Sequence, residues 1–144
     1  MSKKRLLISF GVSCVVALMI GLLSWETISA QECRLVRVHG RSEHPSLTIE
    51  PQTSFISKGD CVVWFNRVFT DEIEIIFEED KRCLDVTQNP QGAFTLDAKS
   101  CFVSTWIPFA STSNLRFMEK GTYDYVVKAK NWKGIQAKGQ IIVE

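Results

Sequence analysis

The sequence predicts an all-β fold, an antiparallel Greek-key β-sandwich of seven to eight strands. After residue 30, short runs rich in valine, isoleucine and aromatic residues are separated by glycine, proline, asparagine and aspartate, which are typical turn residues. No segment of this part sustains a helical period, apart from a possible single turn at residues 79–84. Many short strands in about 114 residues favour two packed sheets.

The first thirty residues differ from the rest of the chain. Three cations at positions 3–5 precede an uncharged apolar stretch at residues 6–23, and the small residues Ser29 and Ala30 follow. This pattern predicts a secretory signal peptide, residues 1–30, cleaved after Ala30. The remaining domain, residues 31–144, is then periplasmic or secreted. Residues 6–23 are also long enough to span a bilayer, so the alternative is an uncleaved anchor with the domain outside.

The net charge of residues 31–144 limits the classes of partner that the domain can bind. Residues 31–144 carry 14 basic and 15 acidic side chains, since residues 1–30 hold three of the 17 cations and one of the 16 acids. Nucleic-acid binding needs a concentrated positive field, so we expect no nucleic-acid partner. A membrane is expected as a partner only if the N-terminal segment is retained.

Four cysteines follow the signal segment, namely Cys33, Cys61, Cys83 and Cys101. An even number in an exported domain indicates two structural disulfides. Four cysteines allow three connectivities, and the sequence alone does not choose among them. Cys83 and Cys101 bracket a segment with the turn signal NPQG, so this pair could staple a long loop. Cys33 and Cys61 would then form the other bond.

The strands are assigned from alternation and turn signals in chain order. Residues 34–38 and 47–50 alternate, and residues 61–65 place Val62 and Trp64 on one face. In residues 73–78 the side chains of Ile73, Ile75 and Phe77 share a face. Residues 115–118 lead through a tight turn into residues 123–128, and residues 141–143 form the last strand.

Three motifs carry a family resemblance. They are GDCVVWFN at residues 59–66, GTYDYVV at 121–127 and GQIIV at 139–143. In this combination and order they resemble the framework of the cupredoxins, the blue-copper β-sandwich family. The resemblance covers residues 48–143 and implies a cupredoxin-type sandwich. Residues 81–113 match no part of that pattern and are expected to be an elaboration.

The resemblance also locates positions for copper ligands, and the ligands are missing. The first histidine would fall near Glu72 or Ile73, the thiolate at Val127, the second histidine at Lys130, and the axial ligand around Ile135. A type 1 centre needs two imidazoles and a thiolate. We therefore expect no copper and no other cofactor. Val127 should fill the core, and Lys130 should form an ion pair with Asp71 or Glu72.

Other chemistry receives little support from the sequence. His39 and His44 are the only histidines, and with Glu43 they are weak metal candidates, although a solvated pair is favoured. The acidic residues between 71 and 80 lack the oxygen spacing and central glycine of a calcium loop. No nucleophile has an adjacent histidine, and no catalytic motif occurs. We expect a non-enzyme.

The function predicted is that of an exported binding or structural module that docks to another envelope or extracellular protein. In cupredoxins the ligand-loop end is the docking surface, and here that loop holds Trp132 with Lys128, Lys130 and Lys133. Two interpretations of Trp132 remain open: it packs back onto the sandwich, or it is an exposed anchor in a basic rim. The alternative function is an electron-transfer or metal-handling protein with an atypical site.

Overall fold

The computed structural model describes residues 32–41, 43–77, 87–91 and 94–144. Residues Gln31–Glu144 form one compact unit. The predicted signal or anchor segment, the possible helical turn at residues 79–84 and Cys83 lie outside the described residues. Within the described part of the chain, no helix has the length and apolarity needed to cross a membrane.

The regular structure of the described residues consists of eleven β-strands, which confirms the all-β prediction. In chain order they are β1 (Cys33–Arg41), β2 (Ser46–Glu50), β3 (Thr53–Ile56), β4 (Cys61–Arg67), β5 (Ile73–Phe77), β6 (Thr87–Gln91), β7 (Phe94–Leu96), β8 (Phe102–Ser104), β9 (Thr112–Phe117), β10 (Gly121–Ala129) and β11 (Gln136–Val143).

The strands form two sheets. Sheet A has the order β2-β1-β4-β9-β6, and sheet B has the order β3-β11-β10-β5-β8-β7. Both sheets are mixed and not purely antiparallel as predicted, because β1 pairs with β4 in parallel and β3 pairs with β11 in parallel. A parallel pair needs a crossover between its strands. The chain provides one by passing from β2 in sheet A to β3 in sheet B before it returns to β4.

The strand count exceeds seven to eight because of two segments. Three short strands, β6, β7 and β8, lie in the predicted elaboration at residues 81–113. Strand β3 was not predicted. Its inward side chains are Ser54 and Ile56, and its outward residue Phe55 is 62% exposed. The strand therefore lacks the alternation of apolar inward and polar outward residues that marks a half-buried strand.

Trp64 occupies the centre of the core between the sheets. Its side chain is fully buried, and its ring meets Phe77 and Tyr125 edge-on, with centroids 5.9 and 5.6 Å apart. Gly139, opposite Tyr125 on β11, makes room for the phenol ring, because a Cβ atom there would lie 2.3 Å from it. Aromatic contacts of this kind stabilise a core beyond their area burial.

The disulfide Cys33–Cys61 joins two residues that are register partners at the start of β1 and β4. It closes a loop with a sequence separation of 28 residues, and a bond of this span typically contributes about 3 kcal/mol to stability. Cys101 is also disulfide-bonded. Its predicted partner Cys83 is outside the described residues. Of the three connectivities that the sequence allowed, the structure contains the one in which Cys33 is bonded to Cys61.

The buried phenol of Tyr125 predicts alkaline sensitivity. Burial raises the pKa of Tyr125 to about 12 from its ordinary value of 10, while neighbouring Trp64 acts in the opposite direction. Neither the phenol oxygen nor the indole Nε1 makes a hydrogen bond of ordinary geometry. The folded state holds the phenol proton more tightly than the unfolded chain does, so stability is complete below pH 10 and falls as pH rises towards 12.

We expect the free energy of unfolding to fall by about 2 kcal/mol between about pH 9 and about pH 11.5, since each pH unit above 10 costs about 1.4 kcal/mol. Urea unfolding at about pH 9 and about pH 11.5 measures it, and Tyr125→Phe should flatten the dependence because the titrating group is removed. An unchanged pH profile in Tyr125→Phe would assign the alkaline sensitivity to another group.

Candidate functional site

Asn66 organises the sandwich end to which the sequence assigned the copper ligands. It is fully buried near the end of β4. Its Nδ2 donates to the carbonyl oxygens of Asp71 and Ile107, both at 2.9 Å, and its Oδ1 accepts from the Val68 N–H at 2.8 Å. One side chain thus joins the loop after β4 to the loop before β9 and satisfies all three buried backbone groups.

Asp71 joins the loop after β4 to the loop after β10. Its side chain is 4% exposed and accepts hydrogen bonds from the Glu72 N–H and from Nδ2 of Asn131, at 2.8 and 2.9 Å. The Asn131 N–H also points at this carboxylate, 3.2 Å from Oδ2. Three N–H donors thus satisfy the hydrogen-bonding capacity of this buried side chain. The two loops are therefore held together by these polar contacts.

The positions assigned to the thiolate and to the first histidine are occupied by hydrocarbon. Val127 and Ile73 are both fully buried. Val127 is the register partner of Ile75, and Ile73 is the register partner of Ala129. The prediction that Val127 fills the core is confirmed. Both side chains belong to the close-packed interior of the domain.

The position assigned to the second histidine holds an ion pair. The Lys130 ammonium lies 2.5 Å from the Glu72 carboxylate, with side chains 47% and 37% exposed. The Lys130 N–H donates to the Glu72 carbonyl oxygen at 2.9 Å, and the ammonium lies 5.7 Å from the ring centroid of Trp106. The predicted ion pair is confirmed. Because both groups are partly exposed, it contributes at most about 1 kcal/mol.

This donor set does not fit a type 1 copper ion. Val127, Ile73 and the half-buried Ile135 have no lone pair to offer, and Lys130 is a cation engaged with Glu72. A blue-copper centre is built from imidazole and thiolate ligands. Among the described residues, no group of three or more histidine, cysteine, aspartate or glutamate side chains could hold a metal ion.

The two histidines are placed around the β1–β2 hairpin. His39 lies opposite Thr48, and its Nε2 is 3.4 Å from the Glu50 carboxylate. His44 and Glu43 are exposed in the turn that follows β1. A single imidazole against one carboxylate is a pair contact, and it lacks the ligand number of a structural zinc or copper site.

Trp132 is half-buried and packs against the hydrophobic core. Two of its ring carbons would lie 2.7 and 2.8 Å from a Cβ atom at Gly40, where Val68 is also in contact range. The absence of a side chain at Gly40 thus lets the indole lie against β1. Lys128 and Lys133 are exposed. Trp132 follows the first of the two interpretations left open by the sequence, packing onto the sandwich.

Three aromatic residues at this end were missed by the sequence analysis. Phe69, Phe109 and Trp106 are 70%, 45% and 37% exposed. The Phe69 and Phe109 rings meet edge to face with centroids 5.4 Å apart, and Trp106 lies beside Lys130. Each lies between strands, outside any alternating run, which is the one signal that could have identified them.

No family model and no curated protein matches this chain. Solved structures of amicyanin, a cupredoxin, are similar to it. A reduced Cu(I) form at pH 4 has 17% identity and a TM-score of 0.45, covering 83% of this chain and 87% of its own. A second Cu(I) form has 17% identity, a TM-score of 0.47 and coverages of 81% and 87%. An oxidised form has 18% identity, a TM-score of 0.44 and coverages of 75% and 80%.

Proposed function

We propose that this chain is an exported cupredoxin-like module that has no type 1 copper and that docks to another envelope protein. The supporting observation is the buried Val127 side chain at the thiolate position. A blue-copper centre needs the thiolate of a cysteine as a ligand. The hydrocarbon side chain of valine cannot supply it. The module is a binding protein and not an enzyme.

The loop end suits docking because it is both rigid and apolar at its surface. Asn66 and Asp71 hold three loops together through buried hydrogen bonds, so little ordering is required when a partner binds. Exposed aromatic side chains surrounded by charged groups are typical of interface hot spots. We therefore assign the contact to Phe69, Phe109 and Trp106, with the lysines of the loop after β10 as its rim.

Copper titration tests the first half of the proposal. Adding Cu(II) to the purified protein should produce no absorbance near about 600 nm and no stoichiometric binding. The double variant Val127→Cys, Lys130→His should also stay colourless, because neither Glu72 nor Ile73 supplies the first imidazole. Stoichiometric copper in the native protein would favour the alternative, an electron-transfer or metal-handling protein with an atypical site.

Capture from an envelope fraction tests the second half. A partner is first captured with the native domain and identified. The double variant Phe69→Ser, Phe109→Ser should no longer capture this partner, whereas the variant Phe55→Ser should still capture it. Phe55 is the matched control, because it is 62% exposed on β3. Trp132 is unsuitable here, since its packing against the core links binding to stability. Equal loss in both variants contradicts docking at the loop end.

A further inference from the structure

The outer face of sheet A concentrates positive charge. Along β1, β4 and β9 the inward residues are buried and the intervening residues face solvent. The outward series contains four arginines, two of them exposed and two half-buried: Arg37, Arg41, Arg67 and Arg116. They lie on three adjacent strands, and the strand register separates them by roughly 8 to 28 Å along one face of the sheet.

Arginines outnumber acids on this face. Among the outward residues of β1, β2, β4 and β9, Glu50 is the one carboxylate; it is the register partner of Arg37 and lies 3.4 Å from His39. The outer face of sheet B is balanced over its described strands, with Lys128 and Lys138 beside Glu74 and Asp124. The two faces therefore differ in charge, a difference that the near-zero net charge of the domain conceals.

Apolar side chains lie between the arginines. Leu35 is 39% exposed, and its register partner Val63 is half-buried. Phe65, the register partner of Arg37, is also half-buried. A flat face that combines guanidinium groups with partly exposed hydrocarbon is suited to an interface between water and an apolar phase.

If residues 1–30 are retained as an anchor, the alternative to a cleaved signal peptide, they keep the domain close to a bilayer. Nine residues, 24–32, separate the apolar stretch at residues 6–23 from Cys33, the first residue of β1. A linker of that length spans at most about 35 Å when fully extended. Any bilayer that holds the apolar stretch is therefore within reach of the sheet in which β1 lies.

We propose that the outer face of sheet A binds an anionic lipid bilayer. Arginine forks match phosphate oxygens in pairs, and the cations are spread over a plane and not gathered around a recess, as a planar array of headgroups requires. This contact lies on a sheet face and is separate from the loop-end docking surface. It would leave the loop end available to a protein partner.

Vesicle co-sedimentation tests the proposal with residues 31–144, a unit that contains all the described strands, their core and the Cys33–Cys61 bond. The domain should bind phosphatidylcholine vesicles containing about one-third phosphatidylglycerol, and binding should weaken with salt. The variant Arg37→Gln, Arg41→Gln, Arg67→Gln should bind on the order of a hundredfold more weakly, since each cation near the surface contributes about fivefold.

The matched control removes three exposed cations elsewhere, with Lys58→Gln, Lys120→Gln and Lys138→Gln. It should retain most of the binding, because these residues are not on the outer face of sheet A. Absence of vesicle binding by the native domain overturns the proposal. So does equal binding to pure phosphatidylcholine, an equal loss in the control, or an arginine-dependent capture of an acidic protein without any binding to vesicles.

Discussion

Replacing Trp64 with alanine should lower the free energy of unfolding by about 3–5 kcal/mol, which is the range for truncating a large buried aromatic side chain. Trp64 is fully buried and contacts the rings of Phe77, Phe94 and Tyr125, with centroid distances of 5.5 to 5.9 Å. All three rings belong to sheet B but lie on three different strands, β5, β7 and β10, so no single strand can move to fill the cavity. Urea unfolding monitored by far-UV circular dichroism measures the loss.

Trp106→Ala is the matched control for this substitution. Trp106 is 37% exposed, and its contact with Lys130 lies at the surface, so its truncation should cost less than about 1 kcal/mol. Similar losses in the two variants would contradict the central position of Trp64 in the core.

Replacing Asn66 with alanine should destabilise the domain by about 3 kcal/mol or more. The change leaves the Val68 N–H and the Asp71 carbonyl oxygen without the hydrogen bonds that Asn66 makes, while the Ile107 carbonyl oxygen keeps its bond from the Ile73 N–H. An unsatisfied buried polar group typically costs about 1–3 kcal/mol. Since Asn66 joins the two loops that carry Phe69 and Phe109, capture of the docking partner should weaken as well. Urea unfolding and the capture assay measure the two effects.

Asn114→Ala provides the comparison for Asn66→Ala. Asn114 is a half-buried residue on the outer face of β9, and surface substitutions of this kind usually change stability by less than about 0.5 kcal/mol. If Asn66→Ala were no more destabilising than Asn114→Ala, the polar contacts at the loop end would not be what holds it together.

The strands could be predicted where one face of the sheet is apolar. Alternation at residues 34–38, 61–65 and 73–78 follows from the two-residue period of a strand, which is a local property. The same alternation put Val62 and Trp64 on one face, and both are fully buried. Strand β3 was not predicted because its inward residue Ser54 is polar and its outward residue Phe55 is apolar. At these two positions the polarity of the side chain does not indicate which face is buried.

The site was predictable where a residue's own chemistry decides the outcome. Val127 cannot bind copper in any fold, and Lys130 close to Glu72 forms an ion pair. The role of Trp132 was not predictable, because it depends on Gly40, a residue of β1 far away in the sequence. The exposed aromatic residues at the loop end were missed for a similar reason, since their proximity comes from two separate loops.

The sequence by itself determined the all-β class, most of the strands and the presence at Val127 and Lys130 of side chains that do not bind copper, because side-chain chemistry and the period of a strand need no partner. Only the tertiary structure decided the mixed pairing of both sheets, the Cys33–Cys61 bond and the contact between Asp71 and Asn131. It also gathered arginines of β1, β4 and β9 on one face of a domain with nearly balanced charge. These features depend on strand neighbours and register, which are set by packing between residues distant in the chain.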